Sequence, residues 1–139
     1  MTRDAAALGK HVAERYLAEG PRPSARDLAR RLSVAVVEWE APPPAQPDLR
    51  AEYQAAPPRI VLYRDSLARL SDALRADPRA EALACDLEEV HLAHEVFHHL
   101  EVGGRFGPLR PEEVETAAHA FVRTFCGLSF DPGELSGIR

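Results

Sequence analysis

Apolar residues return at every fourth position at Leu8, Val12 and Tyr16, in a stretch rich in alanine and straight-chain residues. That period marks one face of an amphipathic helix over residues 4–19, which Gly20-Pro21 ends. Ser24 followed by Asp27 caps a second, shorter helix, Ala25 to Leu32, with Leu28 and Leu32 facing inward. The pattern then changes. Val34 to Glu40 is β-branched and aromatic and reads as a strand. The proline-rich segment 41–47 fits neither a helix nor a central strand, and predicts an exposed connection. Leu49–Gln54 and Arg59–Arg64 read as second and third strands around Pro57-Pro58. Ile60-Val61-Leu62-Tyr63 carries almost nothing polar, which predicts a central strand.

Helical patterning follows. Asp65 or Ser66 can cap a helix over Leu67–Arg75, and Asp77-Pro78 is a good start for the next. Residues 78–102 then form one long helix or two in sequence, up to the breaker Gly103-Gly104. Gly103 to Pro108 reads as a loop. Pro111 opens a last helix with Glu112, Glu113 and Glu115 in its first turns, where the helix dipole favours them. Gly127 closes it, and Leu128–Arg139 reads as a tail. Helices, a small three-stranded sheet, then helices again describe an α+β fold. The length predicts a single domain over 1–139, with its core at about 10–126.

Composition narrows the function classes. Hydrophobic residues make up 45% and charged residues 28%, as in ordinary soluble globular proteins. Lys+Arg number 17 against 22 Asp+Glu, for a net charge of -5, which argues against gripping phosphate backbones or anionic lipid. Cys85 and Cys126 are too few for a disulfide framework and match no paired zinc spacing. The N-terminus lacks a signal-peptide core, and no apolar run reaches the ~20 residues needed to span a bilayer. The expectation is a reduced, cytoplasmic protein with no membrane partner. Residues 24–34, rich in arginine, resemble the first half of a helix-turn-helix. An acidic strand-like run follows where a recognition helix should stand, so DNA binding through 24–34 is the weaker alternative and no direct nucleic-acid partner is expected.

The informative chemistry is His94-Glu95-Val96-Phe97-His98. On a helix, residues four apart lie about 40° apart around the axis, so both imidazoles can reach one metal ion. Glu95 sits beside them, where it can accept a proton from water. Zinc held by two histidines and a carboxylate, with one open position, lowers the pKa of water toward neutrality. Leu92, Val96 and Leu100 give the same helix an apolar side. The plainer alternative is a histidine-rich helix whose imidazoles are hydrogen-bonded in a polar core. His91 shares the face of His98 and is either a supporting residue or exposed, His99 points about 100° away toward surface or packing, and His11 belongs to a helix surface.

A third ligand is required, and the last helix is its best source. The stripe Glu115, Ala118, Phe121/Val122, Phe125 is the face that should pack on the motif helix, which favours Glu115 over Glu112 and Glu113. His119, one turn beyond Glu115, is a candidate to support the ligands. Taken together, the helix, strand and proline-rich loop, Arg59-Ile60-Val61-Leu62-Tyr63, His94–His98 and Glu115-x-x-Ala118-x-x-Phe121 resemble the ImmA/IrrE family of zinc metallopeptidases. The resemblance covers roughly residues 10–126. It implies a zincin-like domain in which His94, His98 and Glu115 bind Zn2+ and Glu95 is the general base. It also implies a protein substrate, a helix-turn-helix transcriptional repressor, in a stress or mobile-element response. Two departures are visible: Phe125-Cys126-Gly127-Leu128 replaces a Leu-Leu-Met-Pro-like ending, and His119 stands where the family often has Asn or Asp. A zincin-fold module that binds zinc and a partner without turnover is the alternative.

Overall fold

The structure, a computed structural model, describes residues 4–19, 24–75, 87–106, 108–128 and 130–133. Helix α1 spans Ala5–Leu17, and the Asp4 carboxylate accepts from the Ala7 N–H at 3.1 Å to cap it. Its buried face is Ala5, Gly9, Val12 and Ala13, with Leu8 and Tyr16 only partly buried at the edges of the expected stripe. The cause is a close approach to the last helix. A Cβ on Gly9 would come within 2.0 Å of the Ala117 carbonyl oxygen, so only small residues fit along this seam.

Helix α2, Ala25–Arg31, is capped as expected by Ser24, whose hydroxyl accepts from the Asp27 N–H at 3.0 Å. A second acceptor comes from far along the chain: the Glu89 carboxylate takes the Ala25 N–H at 2.8 Å. Ser33, at a φ of 63°, then turns the chain straight into β1, Ala35–Trp39. Among the described residues no helix lies between α2 and the end of the sheet, so a recognition helix does not follow. The arginines of α2 are occupied: Arg26 pairs with Glu88, Arg31 with Glu19 at 2.9 Å, and Arg30 with Asp27 at 3.6 Å.

The remaining strands are β2, Ala51–Ala55, and β3, Pro58–Tyr63. The sheet order is β1-β3-β2, with β1 parallel to β3 (Val36↔Ile60) and β2 antiparallel to it (Tyr53↔Ile60). The apolar run Ile60–Tyr63 thus occupies the central strand, as its composition predicts, and is fully buried. Helix α3, Arg64–Leu74, starts directly off β3, with Tyr63 at its N-cap and no side-chain cap. The expected caps serve the neighbouring connection instead. The Asp65 N–H donates to the Glu40 carbonyl at 2.9 Å, and the buried Ser66 hydroxyl donates to the Pro47 carbonyl at 3.3 Å.

Helix α4 spans Leu87–Val102; Asp77-Pro78, Cys85 and the choice between one helix and two across 78–102 fall outside the described residues. Helix α5, Pro111–Cys126, packs on both α1 and α4, and Gly127 ends it in the left-handed region at a φ of 68°. Phe97 of α4 stacks on Phe106 at 5.2 Å and meets Phe121 at 5.5 Å, and Phe121 stacks on Phe125 at 5.4 Å. This aromatic series fixes α5 against α4. The segment read as a tail is partly structural: Leu128 and Pro132 are buried, and Phe130 packs on the core. No described helix is long and apolar enough to cross a membrane.

Candidate metal centre

Helix α4 buries Val90, Leu92, Ala93, Val96, Phe97 and Leu100, so it is apolar around most of its circumference. The remaining sector carries His94 and His98, whose Nε2 atoms are 3.0 Å apart. Glu115 reaches them from α5. Its Oε2 is 3.6 Å from His94 Nε2, and its Oε1 is 3.4 Å from His98 Nε2. In a tetrahedral site with ligand bonds of about 2.0–2.2 Å, donor atoms are separated by roughly 3.3–3.6 Å. The separations lie close to that range, each ring facing a different oxygen of the carboxylate, so two imidazoles and a carboxylate gather into a donor cluster that could hold a metal ion. Glu95 completes a second group with His94 and His98, all donor atoms lying within 4.8 Å of one another.

The competing glutamates are engaged elsewhere. Glu113 accepts from the Arg110 backbone N–H at 3.0 Å and from Arg110 Nε at 3.2 Å, bracing the start of α5. Glu112 lies on the same arginine at 3.5 Å. Glu115 projects beside the buried line Ala118, Phe121, Val122 and Phe125, as the helical phase predicts, although its own side chain is 55% exposed in the mouth of the cleft.

Burial pushes the His94 imidazole down to about 3, helped by His98, His119 and His91 nearby. It lowers His98 too, against the opposing pull of Glu115 and Glu101. Burial thus disfavours the charged form of both rings, and at 3.0 Å one Nε2–H donates to the lone pair of the other Nε2. Burial pushes the Glu95 carboxyl up to about 8, with Glu115 and Glu52 adding to the rise. A neighbouring divalent cation acts in the opposite direction on such a carboxyl.

Compared with protein-family models, curated proteins and solved structures, the chain matches none.

The site opens into a cleft of about 690 Å³ between β2 and α4, lined in part by Leu49, Arg50, Glu52, Tyr53, Val90 and Val122. His91 is not exposed: its Nδ1 donates to the Leu87 carbonyl at 2.8 Å, and burial beside Arg50 lowers it to about 4. It lines the cleft without joining the donor cluster. His99 is a packing residue, with Nδ1 2.8 Å from the Tyr53 hydroxyl, and His11 is exposed on α1. His119 reaches the rim, with Nε2 3.8 Å from Glu115 Oε2. That separation is too long for a hydrogen bond orienting the carboxylate. The residues beyond α5 also contribute, since Pro132 and Gly133 line the cleft and Asp131 faces His119. Their sequence, Asp-Pro-Gly, signals only a turn.

Proposed function

We propose that the chain is a zinc-dependent metallopeptidase of ImmA/IrrE type, with a zincin-like domain built around α4. The observation that carries this reading is the gathering of His94, His98 and Glu115 in an open cleft: the two Nε2 atoms are 3.0 Å apart, one Glu115 oxygen lies 3.6 Å from His94 Nε2 and the other 3.4 Å from His98 Nε2. When bound, zinc supplies Lewis acidity, polarising the scissile carbonyl and making water acidic enough to attack.

The protein's own groups do the rest. Neutral His94 and His98 donate through Nε2, and Glu115 contributes the charge that offsets the cation. Glu95 accepts the proton of the attacking water and passes it to the departing amine. Glu95 is buried beside the pair, where a bound cation would favour the carboxylate that accepts the proton. The apolar cleft wall of Leu49, Val90 and Val122 favours a peptide over a charged small molecule. The family resemblance supplies the substrate class, a helix-turn-helix repressor.

The test is metal content together with cleavage of quenched peptides and of candidate repressors. Glu95→Gln is expected to bind one zinc per chain and to lose about 10²–10⁴-fold in cleavage rate. Wild-type cleavage by this variant would overturn the mechanism. Stoichiometric zinc with no cleavage of any substrate would favour a binding module.

A further inference from the structure

A third imidazole in the cleft has the surroundings of a metal ligand. His119 Nε2 lies 3.8 Å from Glu115 Oε2, the same oxygen that faces His94 Nε2 at 3.6 Å. The donor atoms of His94, Glu115 and His119 all fall within 4.8 Å of one another. Against a tetrahedral donor separation of about 3.3–3.6 Å, the His119–Glu115 edge is a few tenths of an ångström too long.

On the far side of the ring, His119 Nδ1 faces the Asp131 carboxylate at 3.9 Å, beyond hydrogen-bond distance. Asp131 is itself fixed by the Gly133 N–H at 2.8 Å. Gly133 then packs on the ring so closely that a Cβ there would lie 2.9 Å from His119 Cε1 and Nδ1.

We propose that His119 is a fourth protein ligand, so that three imidazoles and one carboxylate close the metal site at rest. The inference rests on reading His94, His98 and Glu115 as a metal site. Four protein donors leave a tetrahedral ion no open position, which is the arrangement of structural rather than catalytic sites. Hydrolysis then requires one donor to give way. His119 is the most exposed of the three imidazoles, at 31% against 23% and 21% for His94 and His98, and it is uncharged when it leaves, whereas the 55% exposed Glu115 carries the negative charge that offsets the cation. Its role is then to make the resting site tight and unreactive.

The experiment replaces zinc with Co2+ and counts the hyperfine-shifted imidazole N–H signals that vanish in D2O. Wild type is expected to show three and His119→Gln two. Zinc affinity, read by chelator competition, should fall more than about a hundredfold in His119→Gln, beyond the effect of a supporting residue. Asp131→Asn should keep three signals with weaker binding. Two signals in both wild type and His119→Gln would overturn the fourth ligand while leaving the three-donor site intact. If wild type takes up neither cobalt nor zinc, the metal-site reading falls, and this inference with it.

Discussion

Glu95 and the histidines around it pull the stability of the metal-free protein in opposite directions as pH changes. His91 and His94 are lowered to about 4 and about 3 from 6.5, so unfolding takes up protons on both, and stability falls as pH drops below about 6.5. Each contributes a slope approaching about 1.4 kcal/mol per pH unit, and the lowered His98 acts in the same sense. Glu95, raised from 4.5 to about 8, keeps a proton that the unfolded chain releases, so stability falls as pH rises through that interval. One carboxyl opposing two histidines balances near pH 6.5. The melting temperature of the chelated protein is expected to peak between about pH 6 and 7, and Glu95→Gln should flatten the alkaline limb; a steady rise from pH 6 to 9 would contradict these assignments. The ligand assignment has its own test in three glutamates within five residues. Glu115→Ala should weaken zinc more than about a hundredfold, beyond the effect of a supporting residue. Glu113→Ala should leave affinity unchanged and cost about 1 kcal/mol through the lost bracing of Arg110. Zinc affinities and denaturation of the three single variants, Glu112→Ala included, decide the matter. At this scale the sequence is highly legible: the i, i+4 spacing places His94 and His98, and the apolar stripe of α5 gives the phase of Glu115. Asp131 and Gly133 are not legible, because only tertiary folding carries that turn back to His119.

Between elements, packing sets positions that local signals cannot. The seam of α1 on α5 turns on Gly9, so Gly9→Ala is expected to force the helices apart and destabilise by about 1–3 kcal/mol or more. Calorimetry should show a fall of several degrees, and an unchanged melting temperature would show that the seam is not as tight as the Gly9–Ala117 approach requires. The periodicity of Leu8, Val12 and Tyr16 identifies α1 as a helix but misplaces its buried face by a fraction of a turn. Bulk decides the sequence pattern, whereas smallness decides this contact. The same limit explains α3, where Ser66 reads as a cap yet lies buried on Pro47 while the helix begins off Tyr63. The centre of the sheet is legible because burial on both faces removes every polar residue from Ile60–Tyr63. Glu89 as an acceptor at the start of α2 is not, since its partner lies on another helix.

For the whole molecule, the proposed ligands come from two helices, so a bound ion would tie α4 to α5. Zinc at 100 times its dissociation constant stabilises by about 2.7 kcal/mol, and chelation at constant pH is expected to lower the melting temperature by roughly 10 °C. An unchanged curve after verified removal of the metal would mean that the site is not coupled to the fold. The α1–α5 seam adds a consequence for the order of events on the ribosome. Helix α1 is made before the other described helices, and the partner for its face of Ala5, Gly9, Val12 and Ala13 is the last of them to emerge. Until then a nascent chain carries the paired histidines of α4 without the Glu115 carboxylate, and α1 stays undocked. Docking of α5 on α1 and α4 also brings Glu115 to the paired histidines, so the donor set His94, His98 and Glu115 assembles only once α5 has emerged.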